Sequence, residues 1–209
     1  MKNPKDIVQQ GYDKVSYTYR EDDPDQGSKT YQQYKSWVDE LSEHLMAGDS
    51  VLDLGCGCGV PATDLLAQKF RVTGVDLSSV QIERAKELVP NATFICGDMC
   101  ALEFPSERFD AITCLYAIIH VPVEEQQELL VKMCSWLKPD GYLLLVAGHS
   151  AWTGKESNWL GVEGGDMYWS QVDRATYIQW LEASGFVVLW DRFIPEGDGG
   201  HTLLFSKKK

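Results

Sequence analysis

The sequence has few basic residues. It contains 19 lysines and arginines against 31 aspartates and glutamates, which gives a formal net charge of −12. Proteins that neutralise nucleic-acid phosphates need a surplus of lysine and arginine, and the basic cluster here is the short run Lys207–Lys209. We therefore expect no nucleic-acid partner and no attraction to an anionic membrane surface.

Long apolar runs and a secretory signal are also missing. No apolar run reaches the length that spans a bilayer, and the first residues, MKNPKDIVQQGYDK, contain no apolar core. We expect a cytoplasmic protein without a membrane partner. The 209 residues, 44% of them hydrophobic, suit one globular domain over residues 1–209.

The six cysteines do not have the spacing of a metal site. Cys56 and Cys58 are separated by one residue, whereas zinc sites separate paired cysteines by two to four residues. A chain of this length does not need disulfides to hold its core. We expect reduced thiols, mostly buried, and no metal.

Short apolar runs alternate with segments of helical periodicity, which is typical of βαβ units around a mostly parallel sheet. The predicted strands are Val51–Leu54, Arg71–Asp76, Thr93–Cys96, Phe109–Leu115, Tyr142–Ala147, Phe186–Phe193 and His201–Ser206. The predicted helices between them are Pro61–Gln68, Ser79–Val89, Val123–Leu137 and Asp173–Ser184. The segment PEGDGG at 195–200 is too short for a helix, so the last two strands should form an antiparallel hairpin.

Two regions lie outside this alternation. Residues 1–48 contain two helical stretches and are predicted to form an N-terminal cap. Residues 148–172 are an insertion that concentrates aromatic side chains among glycines, namely Trp152, Trp159, Tyr168 and Trp169. We interpret the insertion as a mobile lid over a small molecule; a hydrophobic dimer surface is the alternative.

A glycine-rich loop follows the first predicted strand in SVLDLGCGCGVPATDLL, residues 50–66. Ligands of such sheets bind beyond the carboxyl ends of the strands, and glycines let the backbone turn sharply and approach a ligand. A dinucleotide fingerprint would read G-x-G-x-x-G, but Val60 stands where its last glycine would be. The pattern therefore argues against a dinucleotide.

Three aspartates lie at or near the carboxyl ends of the first three predicted strands. Asp53 precedes the glycine loop and could accept hydrogen bonds from its amides or oppose a cationic ligand group. Asp76 lies 19 residues after Gly57, close to the spacing of about 20 at which an acidic residue binds ribose hydroxyls. Asp98 could accept from an adenine amino group, with Met99 packed on the ring. The alternative for each aspartate is a turn or helix cap.

Five segments in order, VLDLGCGCG, VTGVDLS, ICGDM, FDAITCLYAIIH and LKPDGYLLL, resemble the class I S-adenosylmethionine-dependent methyltransferases. The resemblance covers about residues 1–147. It implies a Rossmann-like α/β fold with helices on both faces of a sheet of order 3-2-1-4-5-7-6, in which the seventh strand is antiparallel. It also implies S-adenosyl-L-methionine as cofactor and S-adenosyl-L-homocysteine as product.

The resemblance assigns roles to residues of this chain. The Gly55–Gly59 loop would face the methionine part of the cofactor, Asp76 the ribose, and Asp98 with Met99 the adenine. The segment YDKVSYTYR resembles the "YD…Y" segment of small-molecule members, which implies that Tyr12 and Tyr19 close over the cofactor near its sulfonium. The expected cofactor-binding residues are Tyr12, Tyr19, Asp53, Gly55, Cys56, Gly57, Asp76, Leu77, Asp98, Met99 and Leu115.

The methyl acceptor should lie beyond the tip of the fourth strand, at LYAIIHVP. Family members that methylate exposed base amines carry an Asn/Asp-Pro-Pro-aromatic motif there, which this chain lacks. His120 is the candidate general base, because histidine titrates near neutral pH; capping of the next helix is the alternative. Tyr19 is a second candidate catalytic residue, and His149 and His201 are expected to be packed polar residues.

The function predicted from the sequence is methyl transfer from S-adenosylmethionine to a small-molecule acceptor at oxygen, nitrogen or carbon. A non-catalytic S-adenosylmethionine-binding scaffold and a protein or RNA methylase are the alternatives. Either a monomer or a homodimer is compatible with the sequence.

Overall fold

The computed structural model describes residues 3–209 and places seven strands in one central sheet. In chain order the strands of the molecule are β1 (Ser50–Leu54), β2 (Arg71–Asp76), β3 (Thr93–Cys96), β4 (Phe109–Leu115), β5 (Leu137–Gly148), β6 (Trp152–Glu156), β7 (Met167–Gln171), β8 (Phe186–Glu196) and β9 (Gly199–Lys208). The central sheet has the order β3-β2-β1-β4-β5-β9-β8, and β9 is antiparallel to both of its neighbours. The predicted fold class and strand order are confirmed.

Helices cover both faces of this sheet. They are α1 (Pro4–Tyr19), α2 (Lys29–Ser42), α3 (Ala62–Ala67), α4 (Ser79–Leu88), α5 (Val123–Trp136) and α6 (Arg174–Ala183), with single 3₁₀ turns at Ile118–His120 and Trp159–Gly161. Four helices begin at a side chain that accepts a backbone hydrogen bond, those of Asn3, Ser28, Ser78 and Asp173. The central strands β1 and β4 are buried on both faces, as expected for a parallel sheet between helical layers.

The turn between β8 and β9 is tighter than predicted. Pro195 and Glu196 continue β8 and Gly199 already begins β9, so Gly197 and Asp198 alone form the turn. Gly197 has a φ of +55°, a value that glycine adopts without strain. The hairpin itself was predicted from the sequence, but its strands are longer than the apolar runs.

Within the insertion at 148–172, β6 pairs with β7 as an antiparallel hairpin, where the sequence predicted a loop. The buried side chain of Gln126 on α5 holds it, because Nε2 donates to the carbonyls of Val121 and Ser170 at 2.7 Å each. The hydroxyl of Tyr177 donates to Oε1 of Gln126 at 2.7 Å. Satisfied buried networks of this kind rigidify a structure, so β7 is fixed to the core.

Helix α1 of the N-terminal cap lies along α4. Ser16 donates to Gln81 at 2.8 Å, and the buried Arg84 donates to the hydroxyl of Ser16 and to the carbonyl of Arg20, both at 2.7 Å. These bonds fix the C-terminal end of α1 beside the sheet. Residues 1–2 of the predicted cap lie outside the described residues.

The close approach of α1 to the inserted hairpin requires a glycine. A Cβ on Gly11 would lie 2.2 Å from the carbonyl oxygen of Asp166, far inside van der Waals contact. Across residues 3–209, none of the helices combines the length and apolarity needed to cross a bilayer.

Candidate functional site

A cleft of about 710 Å³ opens at the carboxyl ends of β1 to β4. Most of the residues expected to bind the cofactor line it, as does the candidate base: Tyr12, Tyr19, Gly55, Gly57, Asp76, Leu77, Asp98, Met99, Leu115 and His120. Lys5, Gln9, Gln81 and Tyr116 also line it and were not predicted from the sequence. The cleft lies where ligands bind in open α/β sheets.

The glycine loop forms one wall of the cleft, and its conformation requires residues without side chains. Gly55 has a φ of +74°, and a Cβ there would lie 2.1 Å from the Cβ of Ala117. Gly57 has a φ of +56°, and its backbone N–H donates to Oδ2 of Asp76 at 2.9 Å. The loop therefore presents backbone to the cleft.

Asp76 joins this loop to the start of α4. Its Oδ1 accepts from the backbone N–H of Ser78 at 2.9 Å, as its Oδ2 does from Gly57. Burial raises the pKa of Asp76 to about 6, because a carboxylate loses solvation there. Each carboxylate oxygen can accept two hydrogen bonds, so both retain capacity for a pair of ligand hydroxyls.

Asp98 lies at the opposite end of the cleft and is held by two donors. Nζ of Lys5 donates to its Oδ2 at 2.7 Å, and the backbone N–H of Cys100 donates to its Oδ1 at 2.9 Å. Lys5 also pairs with Glu125. The charge of Asp98 is thus partly neutralised from α1, a contact that the sequence did not predict.

Asp53 and the loop cysteines face a smaller pocket behind the glycine loop. Asp53 is buried, and its oxygens accept from the hydroxyls of Thr63 at 2.6 Å and Thr113 at 2.8 Å. Burial also raises the pKa of the Cys56 and Cys58 thiols. Within residues 3–209, no group of three or more His, Cys, Asp or Glu side chains is arranged to hold a metal ion.

Arg20 lines the same smaller pocket and was not predicted. Its guanidinium packs over the ring of Tyr19 at 4.8 Å, and Nη2 donates to the hydroxyl of Tyr34 at 3.3 Å. Among the ion pairs of residues 3–209, none involves Arg20. A partly buried cation without a carboxylate partner is suited to bind an anionic ligand group.

A second cavity, of about 1060 Å³, adjoins the cleft. The two share four lining side chains, those of Tyr12, Tyr19, Tyr116 and His120. The other residues around the second cavity are Arg20, Lys29, Thr30, Gln33, Tyr34, Ile119, Trp159, Trp169, Ile194, Pro195, Glu196 and His201. Its lining is rich in aromatic rings, as is usual for small-molecule pockets.

Both ring nitrogens of His120 have partners. Nδ1 lies 2.8 Å from the carbonyl oxygen of Tyr168, to which it can only donate, so Nε2 of the neutral ring accepts from the hydroxyl of Tyr12 at 2.9 Å. Burial lowers the pKa of His120 to about 4. The candidate base is therefore a neutral histidine whose lone pair is already occupied by Tyr12.

The aromatic residues of the inserted hairpin have different positions. Trp159 and Trp169 line the second cavity, and the ring of Trp169 lies 4.3 Å from that of His120. Tyr168 contributes the backbone carbonyl that orients His120. The expectation for Trp152 differs from the structure: it is 51% exposed and is absent from the lining of this cavity, because its strand β6 is the outer one of the hairpin.

Tyr116 stands directly after β4 in a strained backbone conformation, with a φ of +60°. Such values are uncommon outside glycine and cluster at functional sites. Its hydroxyl lies near Glu196, whose pKa it lowers, and its ring meets that of His201 edge-on at 5.1 Å. The sequence indicated the position of Tyr116 at the tip of the fourth strand, but it did not predict the neighbours of Tyr116 on β8 and β9.

Comparison with known proteins agrees with this geometry. Residues 51–141 match the family described as methyltransferase domain. An uncharacterised methyltransferase of Schizosaccharomyces pombe is 41% identical over 93 residues, which are 41% of this chain and 36% of that protein. A ubiquinone biosynthesis O-methyltransferase of Coxiella burnetii is 35% identical over 102 residues, 47% of this chain and 43% of the relative. The chain thus spans less than half the length of these curated relatives.

The fold agrees over a much greater length. The crystal structure of magnesium protoporphyrin IX methyltransferase from Synechocystis PCC 6803 with bound S-adenosylmethionine superposes with a TM-score of 0.76 at 19% identity, covering 100% of this chain and 99% of the other. The chain thus has the fold of the class I S-adenosylmethionine-dependent methyltransferases, and its residues 51–141 are similar to the methyltransferase domain family.

Proposed function

We propose that this protein transfers the methyl group of S-adenosylmethionine to a small-molecule acceptor. One observation carries the proposal: the cleft along the glycine loop meets a second, aromatic cavity at four shared side chains. A transfer between two small molecules needs two adjoining compartments with a common boundary, whereas a scaffold that only binds the cofactor needs one.

The residues of the cleft fit the cofactor part by part. The oxygens of Asp76 suit the ribose hydroxyls, and the backbone of Gly55 and Gly57 permits close approach of the methionine part. Arg20 is suited to the methionine carboxylate, because it borders the pocket behind the loop and forms charge-assisted bonds with carboxylates. Asp98 and Met99 would contact the adenine.

When bound, S-adenosylmethionine supplies a methyl group that its positively charged sulfur activates for transfer. What the chain must add is mainly alignment and exclusion of water, and holding two reactants in attack geometry can lower a barrier by about 7–11 kcal/mol. Tyr12 and Tyr19 stand at the boundary of the two cavities with their rings 5.6 Å apart. Their role in this proposal is to hold both reactants there.

The lining of the second cavity favours an acceptor with an apolar or aromatic body. Trp159 and Trp169 offer ring surfaces, and the net charge of −12 disfavours nucleic acid. The Coxiella burnetii relative is by name an O-methyltransferase, and we extend that chemistry to this chain. The acceptor would then be an aromatic alcohol or phenol.

Two measurements test the proposal. Calorimetry with S-adenosylmethionine and S-adenosylhomocysteine should show binding, and release of S-adenosylhomocysteine should accelerate with members of a panel of catechols and hydroxybenzoates. Failure to bind either cofactor form would contradict the proposal. Binding without turnover on phenols, while RNA or protein is methylated, would instead establish the methylase alternative.

The cytoplasmic location and the monomeric or homodimeric state stay predictions. Sedimentation of the purified protein tests the second of them. A homodimer that buries the inserted hairpin would support the dimer-surface interpretation of Trp152, which is exposed in the monomer.

A further inference from the structure

The second cavity contains a histidine whose setting differs from that of His120. His201 lies on β9 and Glu196 on β8, close to the turn of the same hairpin. Nδ1 of His201 is buried and lies 3.2 Å from Oε2 of Glu196, an ion-pair distance without hydrogen-bond geometry, and both residues line the cavity. The sequence did not predict this pairing; it predicted only that His201 is a packed polar residue.

Glu196 is held on two sides. It faces His201 and also neighbours the hydroxyl of Tyr116. The neighbouring His201 side chain lowers the pKa of Glu196, so the carboxyl group of Glu196 stays charged. A carboxylate beside Nδ1 favours the tautomer with the proton on that nitrogen, which leaves the lone pair of a neutral ring on Nε2.

The two cavity histidines can therefore be ranked as bases. A general base needs a free lone pair within reach of the acceptor. Nε2 of His120 already accepts from Tyr12, and its pKa near 4 makes it a weak base. His201 has its Nδ1 beside a carboxylate and lines the compartment assigned to the acceptor.

We infer that His201 is the general base of the reaction and that Glu196 is a positioning residue, which fixes the tautomer of His201. The inference rests on the proposed function. The acceptor hydroxyl gives its proton to Nε2 of His201, its oxygen lone pair bonds to the methyl carbon, and the carbon–sulfur bond breaks with its electron pair kept by sulfur. Charge balances, because the positive charge lost at sulfur appears on the imidazolium, which then releases its proton to water.

The other charged and titratable groups of this cavity lining come from three parts of the chain, and they include the hydroxyls of Tyr12 and Tyr19 on α1 and of Tyr34 on α2. Arg20 ends α1, Lys29 begins α2, and Tyr116 and His120 follow β4; all four line the same cavity. Arg20 and Lys29 are cations, so Glu196 is the acidic side chain in the cavity lining that can stabilise an imidazolium.

The first test reads the tautomer of His201 without any turnover. Nitrogen-15 shifts of the neutral ring in the full-length protein should place the proton on Nδ1 in the wild type, and Glu196→Gln should change that preference. His149→Gln removes the signals of His149 from the spectrum and serves as the control. His149 contacts Thr202, a neighbour of His201 on β9, but lines neither cavity. A proton on Nε2 in the wild type would overturn the inference.

The second test uses turnover of the catechol and hydroxybenzoate panel. His201→Ala should lower kcat by about 100-fold or more, leave the affinity for S-adenosylmethionine within twofold, and recover part of its rate with added imidazole; His149→Gln should retain the wild-type rate. Intact cofactor binding with an unchanged kcat would overturn the base while leaving the proposed function standing. If the wild-type protein itself did not bind S-adenosylmethionine, the proposed function would be overturned.

Discussion

The hydroxyl of Tyr12 and Nε2 of His120 lie 2.9 Å apart although 108 residues separate them in the sequence. The bond connects α1 to the turn after β4, at the boundary between the two cavities. The other nitrogen of His120 faces the carbonyl of Tyr168. The imidazole of His120, which follows β4 of the sheet, therefore contacts both the N-terminal cap and the inserted hairpin.

Tyr12→Phe should destabilise the protein by about 1–3 kcal/mol, because it leaves a buried acceptor on His120 without a donor. Urea unfolding followed by fluorescence measures the free energy of unfolding. Tyr17→Phe is the matched control on the same helix, since Tyr17 is 63% exposed. Equal losses in the two variants would show that the bond to His120 contributes nothing.

Asp76→Ala should weaken S-adenosylmethionine binding by about 1.5–3 kcal/mol, the contribution of hydrogen bonds to a charged group. This corresponds to a rise in Kd of about 10- to 150-fold, measured by calorimetry. Asp23→Asn, a change at an exposed position, should leave the Kd unchanged. An unaltered Kd in Asp76→Ala would remove the ribose assignment.

Cofactor affinity should fall as the pH falls through about 6. Burial raises the pKa of Asp76 to about 6, and the carboxylate form accepts the ribose hydrogen bonds. At pH 8 the group is charged; at pH 5 about one molecule in ten is, so the affinity should drop about tenfold. Calorimetry at both pH values checks this, and Asp76→Asn should remove the dependence. The same drop in that variant would assign the effect to another group.

Replacing Trp159 and Trp169 together with alanine should raise the KM for the acceptor at least tenfold and leave the Kd of S-adenosylmethionine within twofold. Both rings line the second cavity and neither lines the cofactor cleft. Trp152→Ala is the control, because its side chain is half exposed and outside both linings. If Trp152→Ala raised the KM equally, or only the sedimentation coefficient changed, the lid interpretation would be wrong.

The sheet and the cofactor cleft could be predicted because their signals are local. Apolar runs marked the strands, and the glycine loop and Asp76 lie within one βαβ unit, 19 residues apart. The inserted β6–β7 hairpin was not predicted, since its strands are short, and their apolar and polar residues do not alternate regularly. The hairpin is held by the buried side chain of Gln126, which donates to the carbonyl of Ser170, 44 residues later in the sequence.

The roles of individual side chains depended on partners far away in the sequence. His120 was identified as a residue of the site, but its occupied lone pair depends on Tyr12 and Tyr168. Arg20 and Tyr116 lie within the segments YDKVSYTYR and LYAIIHVP, but those segments assigned no role to either residue. Glu196 was missed because the hairpin turn was placed too wide, so that the carboxylate appeared to belong to a loop.

The four side chains shared by the two cavities make their occupancies interdependent. Tyr12, Tyr19, Tyr116 and His120 form a common wall, and a ligand that shifts this wall on one side alters the space offered on the other. Thermodynamic linkage makes the influence reciprocal: whatever factor a bound cofactor adds to acceptor affinity, the acceptor adds to cofactor affinity. The proposed methyl transfer would change the ligands on both sides of this wall at once, and release of either product would then alter the affinity for the other.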